Sequence, residues 1–154
     1  MQFKECYQNP FIEERADPYI TLGPDGFYYF TASYPMKSAD DKDGYDRVIL
    51  RRAKDISELA SAEEITIWKV ADTTLTHRFI WAPELHYIAG RWYVFYAGSE
   101  DKENNWAFDC HVLVCDSDDP YTGTWSEKGK FQKREDDDFS FTGFSLDMTY
   151  FEDG

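Results

Sequence analysis

The chain is short of cysteine, of positive charge and of long apolar runs, and each shortage excludes something. Cys6, Cys110 and Cys115 are the cysteines of 154 residues. They are too few and odd in number for a disulfide framework, and none stands with histidine at zinc-ligand spacing. Sixteen Lys and Arg against 30 Asp and Glu leave a formal charge of −14. A phosphate backbone calls for a basic surface, so nucleic acid is not an expected partner. Residues 1–6 contain no apolar signal core and no run approaches the length of a membrane span, so the expectation is a cytoplasmic product without a membrane partner.

The acids cluster in Asp40-Asp41-Lys42-Asp43, Asp116-Ser117-Asp118-Asp119 and Glu135-Asp136-Asp137-Asp138. All three lie between hydrophobic stretches, where solvated loops are expected. Asp116, Asp118 and Glu127 fall at positions one, three and twelve of a calcium loop. Tyr121 stands at position six, where such a loop needs glycine, and Pro120 stands at position five, so that motif is rejected. No metal and no cofactor is called for.

Aromatic residues are plentiful: 12 Phe, 11 Tyr and 5 Trp. Many fall in two glycine-turn strands, Asp25-Gly26-Phe27-Tyr28-Tyr29-Phe30 and Ala89-Gly90-Arg91-Trp92-Tyr93-Val94-Phe95, and a third turn begins at Glu152-Asp153-Gly154. The three glycines stand 64 residues apart (26 to 90, and 90 to 154). A repeat of that length with several strands per unit is the signature of a β-propeller built from radial blades. Four strands are readable in the first unit: the stretch before Gly26, the one after it, Asp46 to Arg52, and Ile65 to Val70. Glu84 to Ala89, Trp92 to Ala97, Phe108 to Asp116 and Thr124 to Phe131 make four in the second. A short helical turn fits between Lys54 and Glu64. The aromatics suit packing between the faces of twisted neighbouring blades.

A carboxylate opens each repeat: Asp17 in Ala16-Asp17-Pro18, Glu84 in Trp81-Ala82-Pro83-Glu84, and Asp147 in Ser145-Leu146-Asp147. The first strand of a blade lines the central axis, so these acids are expected around one pocket. The competing reading is chance placement of solvated acids in an acidic chain. Trp81, beside this position, is either a flat platform for the C–H face of a sugar or a blade-packing residue.

These motifs together, Ala16-Asp17-Pro18-Tyr19 with Gly26-Phe27-Tyr28-Tyr29-Phe30-Thr31, Ile80-Trp81-Ala82-Pro83-Glu84, and Phe144-Ser145-Leu146-Asp147, resemble the amino-terminal half of glycoside hydrolase family 43. The resemblance spans essentially the whole chain. It implies an all-β, five-bladed β-propeller of which residues 1–154 supply the amino-terminal part of one catalytic domain, about two and a half blades. Blade 1 is placed at about 16–72, blade 2 at about 80–134 and the start of blade 3 at about 144–154. The remainder of its own propeller is then an expected partner, in a product of about 320 residues if five blades repeat at this period.

The resemblance further implies inverting hydrolysis. Asp17 matches the general base, and Asp147 matches the Asp that orients the catalytic acid and raises its pKa. The acid itself, a Glu opening the fourth blade, has no match among the 154 residues, so the chain alone is expected to be inactive and to associate through open strand edges. Trp81, Glu84, Phe144 and Ser145 are the expected substrate-binding residues. For Glu84, a sugar hydroxyl and nearby backbone groups are equal candidates as partner. The stretches Arg78 to His86 and Phe144 to Phe151 look closest to exo-acting α-L-arabinofuranosidases on arabinose-containing oligosaccharides. A β-xylosidase of the same family is the alternative, and a non-catalytic carbohydrate-binding propeller is another.

Overall fold

A computed structural model describes residues 7, 9–38, 40, 43–71, 74–101, 106–141 and 143–153. Cys6, part of the first acid cluster and the third turn's Gly154 lie outside the described residues. Eight strands follow one another: β1 (Ala16–Leu22), β2 (Tyr28–Ser33), β3 (Arg47–Ala53), β4 (Ile65–Lys69), β5 (Arg78–Ile88), β6 (Arg91–Ser99), β7 (Phe108–Cys115) and β8 (Trp125–Lys130). They form two antiparallel four-stranded sheets, β1-β2-β3-β4 and β5-β6-β7-β8. Each is a propeller blade. The helical turn expected between Lys54 and Glu64 is a 3-10 turn at Ile56–Glu58, capped by the Asp55 carboxylate accepting the Ser57 N–H at 2.8 Å.

Both β1-β2 and β5-β6 close through turns whose last residue is a left-handed glycine, Gly26 at φ 74° and Gly90 at φ 82°. L-residues are disfavoured there, which is why glycine punctuates the repeat. Beyond each turn the side chains alternate. Tyr29 of β2 and Val48 and Leu50 of β3 face blade 2, where they meet Leu85, Trp92, Val94, Tyr96 and Leu113. Phe30, Ala32 and Ile49 face the other way, onto Leu59. A period of two thus divides blade 1 between two cores. Tyr29 meets Trp92 edge-on at 5.2 Å and Trp68 lies 5.7 Å from Tyr96, so aromatics seal the blade-to-blade contact.

The chain entering β1 is held to the outer part of its own blade. Arg15 pairs with Glu64, which also accepts Arg51 Nε at 3.1 Å. Burial alone would raise the Glu64 carboxyl, but the two guanidinium groups outweigh it and hold it below its ordinary value. Blade 2 is entered through residues 74–77, which Glu127 of β8 pins by accepting Leu75 N–H at 2.7 Å and Thr76 N–H at 2.9 Å.

Residues 144–153 form no strand. A ladder needs a hydrogen-bonded neighbour; this segment is tied to blade 2 through Ser145 N–H and the Phe108 carbonyl, 3.2 Å apart. The bond repeats an earlier one, Ile80 N–H to the Tyr45 carbonyl at 2.8 Å, where blade 2 meets blade 1.

Candidate active site

Asp17 stands where β1 is interrupted. Ala16 pairs with Ser33 and Tyr19 with Thr31, leaving Asp17 and Pro18 bulged out of the ladder. The same interruption recurs in β5, where Trp81 pairs with Ala97 and Glu84 with Phe95 while Ala82 and Pro83 bulge. Asp17 (φ 49°), Ala82 (φ 43°) and Asp147 (φ 56°) all take the left-handed conformation, 65 residues apart (17 to 82, and 82 to 147). Asp tolerates that region better than most residues, whereas Ala carries strain of roughly 1–2 kcal/mol there. Bulges re-aim side chains, and Asp17 is exposed as a result.

This register corrects the alignment of carboxylates made from sequence. The counterpart of Asp17 in blade 2 is Ala82; Glu84 is the counterpart of Tyr19. The strand also begins earlier than expected, at Arg78, so Trp81 lies within it.

Asp17 is anchored by a buried hydroxyl. Ser33 Oγ donates to Asp17 Oδ2 at 3.1 Å and accepts the Ala82 N–H at 2.8 Å. The bulge of blade 2 is thereby joined to the carboxylate of blade 1. Next to Ala82, Trp81 stacks on Phe108 with centroids 4.2 Å apart and an interplanar angle of 23°. Phe144 meets the edge of Phe108 at 5.5 Å. Trp81 and Phe144 therefore meet on one ring, Ser145 N–H reaches the carbonyl of the same residue, and Trp81 packs between elements. Its Nε1–H is buried with no hydrogen-bond partner, and such orphaned donors are rare in folded proteins. Phe144 is 57% exposed, and Trp106, Phe108, Phe141 and Phe144 line an open groove of about 330 Å³.

Asp147 is exposed and follows Ser145 across the β7 side of the blade. Burial pushes the Cys110 thiol up, and the charge of nearby Asp147 adds to it. Glu84 belongs to a separate cluster. Its Oε2 lies 3.0 Å from His86 Nε2, and the Tyr19 hydroxyl stands 3.5 Å from His86 Nδ1, the outer limit of a hydrogen bond. Burial lowers the His86 pKa against the opposing pull of Glu84. A neutral imidazole donating Nε2–H to Glu84 satisfies this geometry. Ser33, Phe108, His86 and Tyr19 were not among the expected site residues. The signal for Ser33 and Tyr19 lay in cross-strand register, and for Phe108 and His86 in contacts between elements remote in sequence. Among the described residues no group of His, Cys, Asp and Glu is arranged to hold a metal ion.

Two successive four-stranded antiparallel blades packed on one another define the class as a β-propeller. The chain belongs to the glycosyl hydrolases family 43, which matches residues 7–154. It is 41% identical over 145 residues to "Extracellular exo-alpha-(1->5)-L-arabinofuranosidase" of Streptomyces avermitilis, 94% of this chain and 27% of that protein. The enzyme of the same name from Streptomyces chartreusis is also 41% identical, with 40% of its length matched. The crystal structure of an alpha-L-arabinofuranosidase from Lactobacillus brevis superposes with a TM-score of 0.77 at 38% identity, covering 95% of this chain and 43% of that one. The chain thus spans less than half the length of these relatives. A compost-metagenome β-xylosidase/α-arabinofuranosidase at 22% identity and TM-score 0.61, covering 87% of this chain and 38% of that one, shares the fold. The word "extracellular" in two of these names overturns the cytoplasmic expectation. That expectation rested on two absences in the sequence, a signal core in residues 1–6 and an apolar run of membrane length.

Proposed function

We propose that the full-length protein is a secreted, inverting, exo-acting α-L-arabinofuranosidase that releases terminal arabinose from arabinan-type or arabinoxylan oligosaccharides. The observation that carries this reading is the exposed Asp17 carboxylate, bulged from the innermost strand and held by Ser33. The names of the 41%-identical relatives support the sugar and the location.

In this mechanism Asp17 accepts a proton from the water that attacks the anomeric carbon, while a carboxylic acid on the opposite face protonates the departing oxygen. The two groups stand about 6.5–9.5 Å apart to admit that water. A base needs solvent access and a hydrogen-bond donor to orient it, and Asp17 has both. Asp147 lies near the acid and disfavours its ionised form by like-charge repulsion. Residues 144–153 are then the opening of a third blade, and the acid comes from a later one. Trp81 and Phe144 offer apolar faces to the sugar; Ser145 and Glu84 offer polar contacts.

The test is Asp17→Asn in the full-length enzyme, assayed on p-nitrophenyl α-L-arabinofuranoside and the matching β-xyloside. Turnover is expected to fall roughly 10²–10⁴-fold, the range for a lost general base. Near-normal turnover removes Asp17 from the role. Preference of the wild type for the xyloside gives the β-xylosidase reading instead, and binding without release of either sugar gives a carbohydrate-binding propeller.

A further inference from the structure

We infer that Ser33 is a positioning residue for the reaction, fixing Asp17 within blade 1 while its own hydroxyl is held by the Ala82 N–H of blade 2; the inference rests on Asp17 being the base. A serine hydroxyl has one proton to give. Ala82 N–H points into the Ser33 oxygen at 2.8 Å, so the Ser33 proton is directed to Asp17 Oδ2 at 3.1 Å. Ser33 is fully buried, and its hydroxyl has no solvent to turn toward. The carboxylate therefore has its orientation set by a group that is itself locked by the blade 2 bulge.

The second copy of the blade shows that the fold does not require this pair. In blade 2 the position of Asp17 is Ala82 and the position of Ser33 is Ala97, yet the bulge forms with the same pairing on either side of it. Ala82 keeps the left-handed φ of Asp17 without any carboxylate to orient. Hydroxyl and carboxylate are present together in blade 1 and absent together in blade 2. A residue needed only to build the bulge would be needed in both.

The remaining contacts of the site explain why the link crosses blades. Asp17 is exposed on β1, whose hydrogen-bonded neighbour is β2 of its own blade. Ser33 ends β2 next to the entry of β5. Any shift of blade 2 against blade 1 moves the Ala82 N–H that locks the Ser33 hydroxyl, and so loosens the base relative to a sugar held against Trp81, the neighbour of Ala82 in sequence. A displacement of about 1 Å in a reacting group costs up to about 10²-fold in rate.

The experiment compares Ser33→Ala, Asp17→Ala and the double variant in the full-length enzyme, on p-nitrophenyl α-L-arabinofuranoside, with thermal melting as a control on folding. Ser33→Ala is expected to lower kcat roughly 10–100-fold with KM within about twofold. The double variant is expected to match Asp17→Ala, because a group acting through the base has nothing to act on once the base is gone. An unchanged kcat in Ser33→Ala overturns the inference, as does a double variant that loses the product of the two single effects, the mark of a general structural role. Should Ser33→Ala fail to fold, Ser33→Cys, close in size with a weak donor, carries the same comparison. Full activity in Asp17→Ala would instead defeat the underlying assignment of the base, so the two failures are distinguishable.

Discussion

Glu127 is the carboxylate whose removal has the most local and most readable consequence. Its Oε2 accepts Leu75 N–H at 2.7 Å, and its Oε1 accepts Thr76 N–H and the Tyr96 hydroxyl, both at 2.9 Å. Burial alone would raise its pKa, but these donors outweigh burial and hold it below the ordinary 4.5. In Glu127→Gln the amide oxygen replaces one acceptor, and the NH2 meets an N–H that needs an acceptor. Losing one hydrogen bond to a charged group costs about 1.5–3 kcal/mol. Taking about 2 kcal/mol, the amides of Leu75 and Thr76 are expected to exchange with deuterium about 30-fold faster in the variant at pH 7. The pH dependence follows from the sign of the shift. A carboxyl with a depressed folded-state pKa contributes stability that is complete above its unfolded value and lost as pH falls through its folded value. The difference between wild type and variant, read at matched pH, is therefore expected to persist down to about the ordinary carboxylate value and to close below it. Equal exchange at pH 7, or a difference that survives unchanged to pH 3, would refute the argument.

Two further perturbations test the packing around the site. Trp92→Ala removes a buried ring that meets Tyr29 at 5.2 Å and donates Nε1–H to the Asp118 carbonyl at 2.9 Å; a loss of about 3–5 kcal/mol in urea unfolding is expected. A loss under 1 kcal/mol would mean that the blades are not held by this contact. Glu64→Gln leaves Arg15 and Arg51 without their shared partner, and a cost of roughly 1.5–3 kcal/mol is expected at pH 7. Because the Glu64 pKa is depressed, that cost fades as pH drops below the ordinary 4.5; unfolding midpoints for both proteins from pH 7 to 3 check it, and a constant gap counts against the pairing.

The blades were legible in the sequence because their two signals are local. A left-handed glycine at each hairpin and alternation along β2, β3 and β6 are properties of a few adjacent residues. The bulges were not legible in this way. Between Arg78 and Glu84 the register slips twice, which breaks the period of two and hides the first part of β5. Matching the repeats by charge then selected Glu84 as the partner of Asp17. Matching them by proline, Asp17-Pro18 with Ala82-Pro83, gives the pairing that the ladders have. Ser33 lies 16 residues from Asp17 and 49 from Ala82, and no pattern in one segment reports a contact with two others.

The departures from repeat symmetry are the informative part of this chain. Interchangeable blades would carry the same residue at every bulge, since packing makes the same demand on each. The backbone obeys that demand: Asp17, Ala82 and Asp147 share one conformation despite its strain for Ala82. The side chains do not. A carboxylate in the bulge of blade 1 and a methyl in that of blade 2 keep like charges out of these two adjacent bulges. Ala82 contributes its N–H to the Ser33 that holds the first carboxylate. The strained backbone of the second bulge thus has a use that its side chain lacks: it aims a donor at the neighbouring blade.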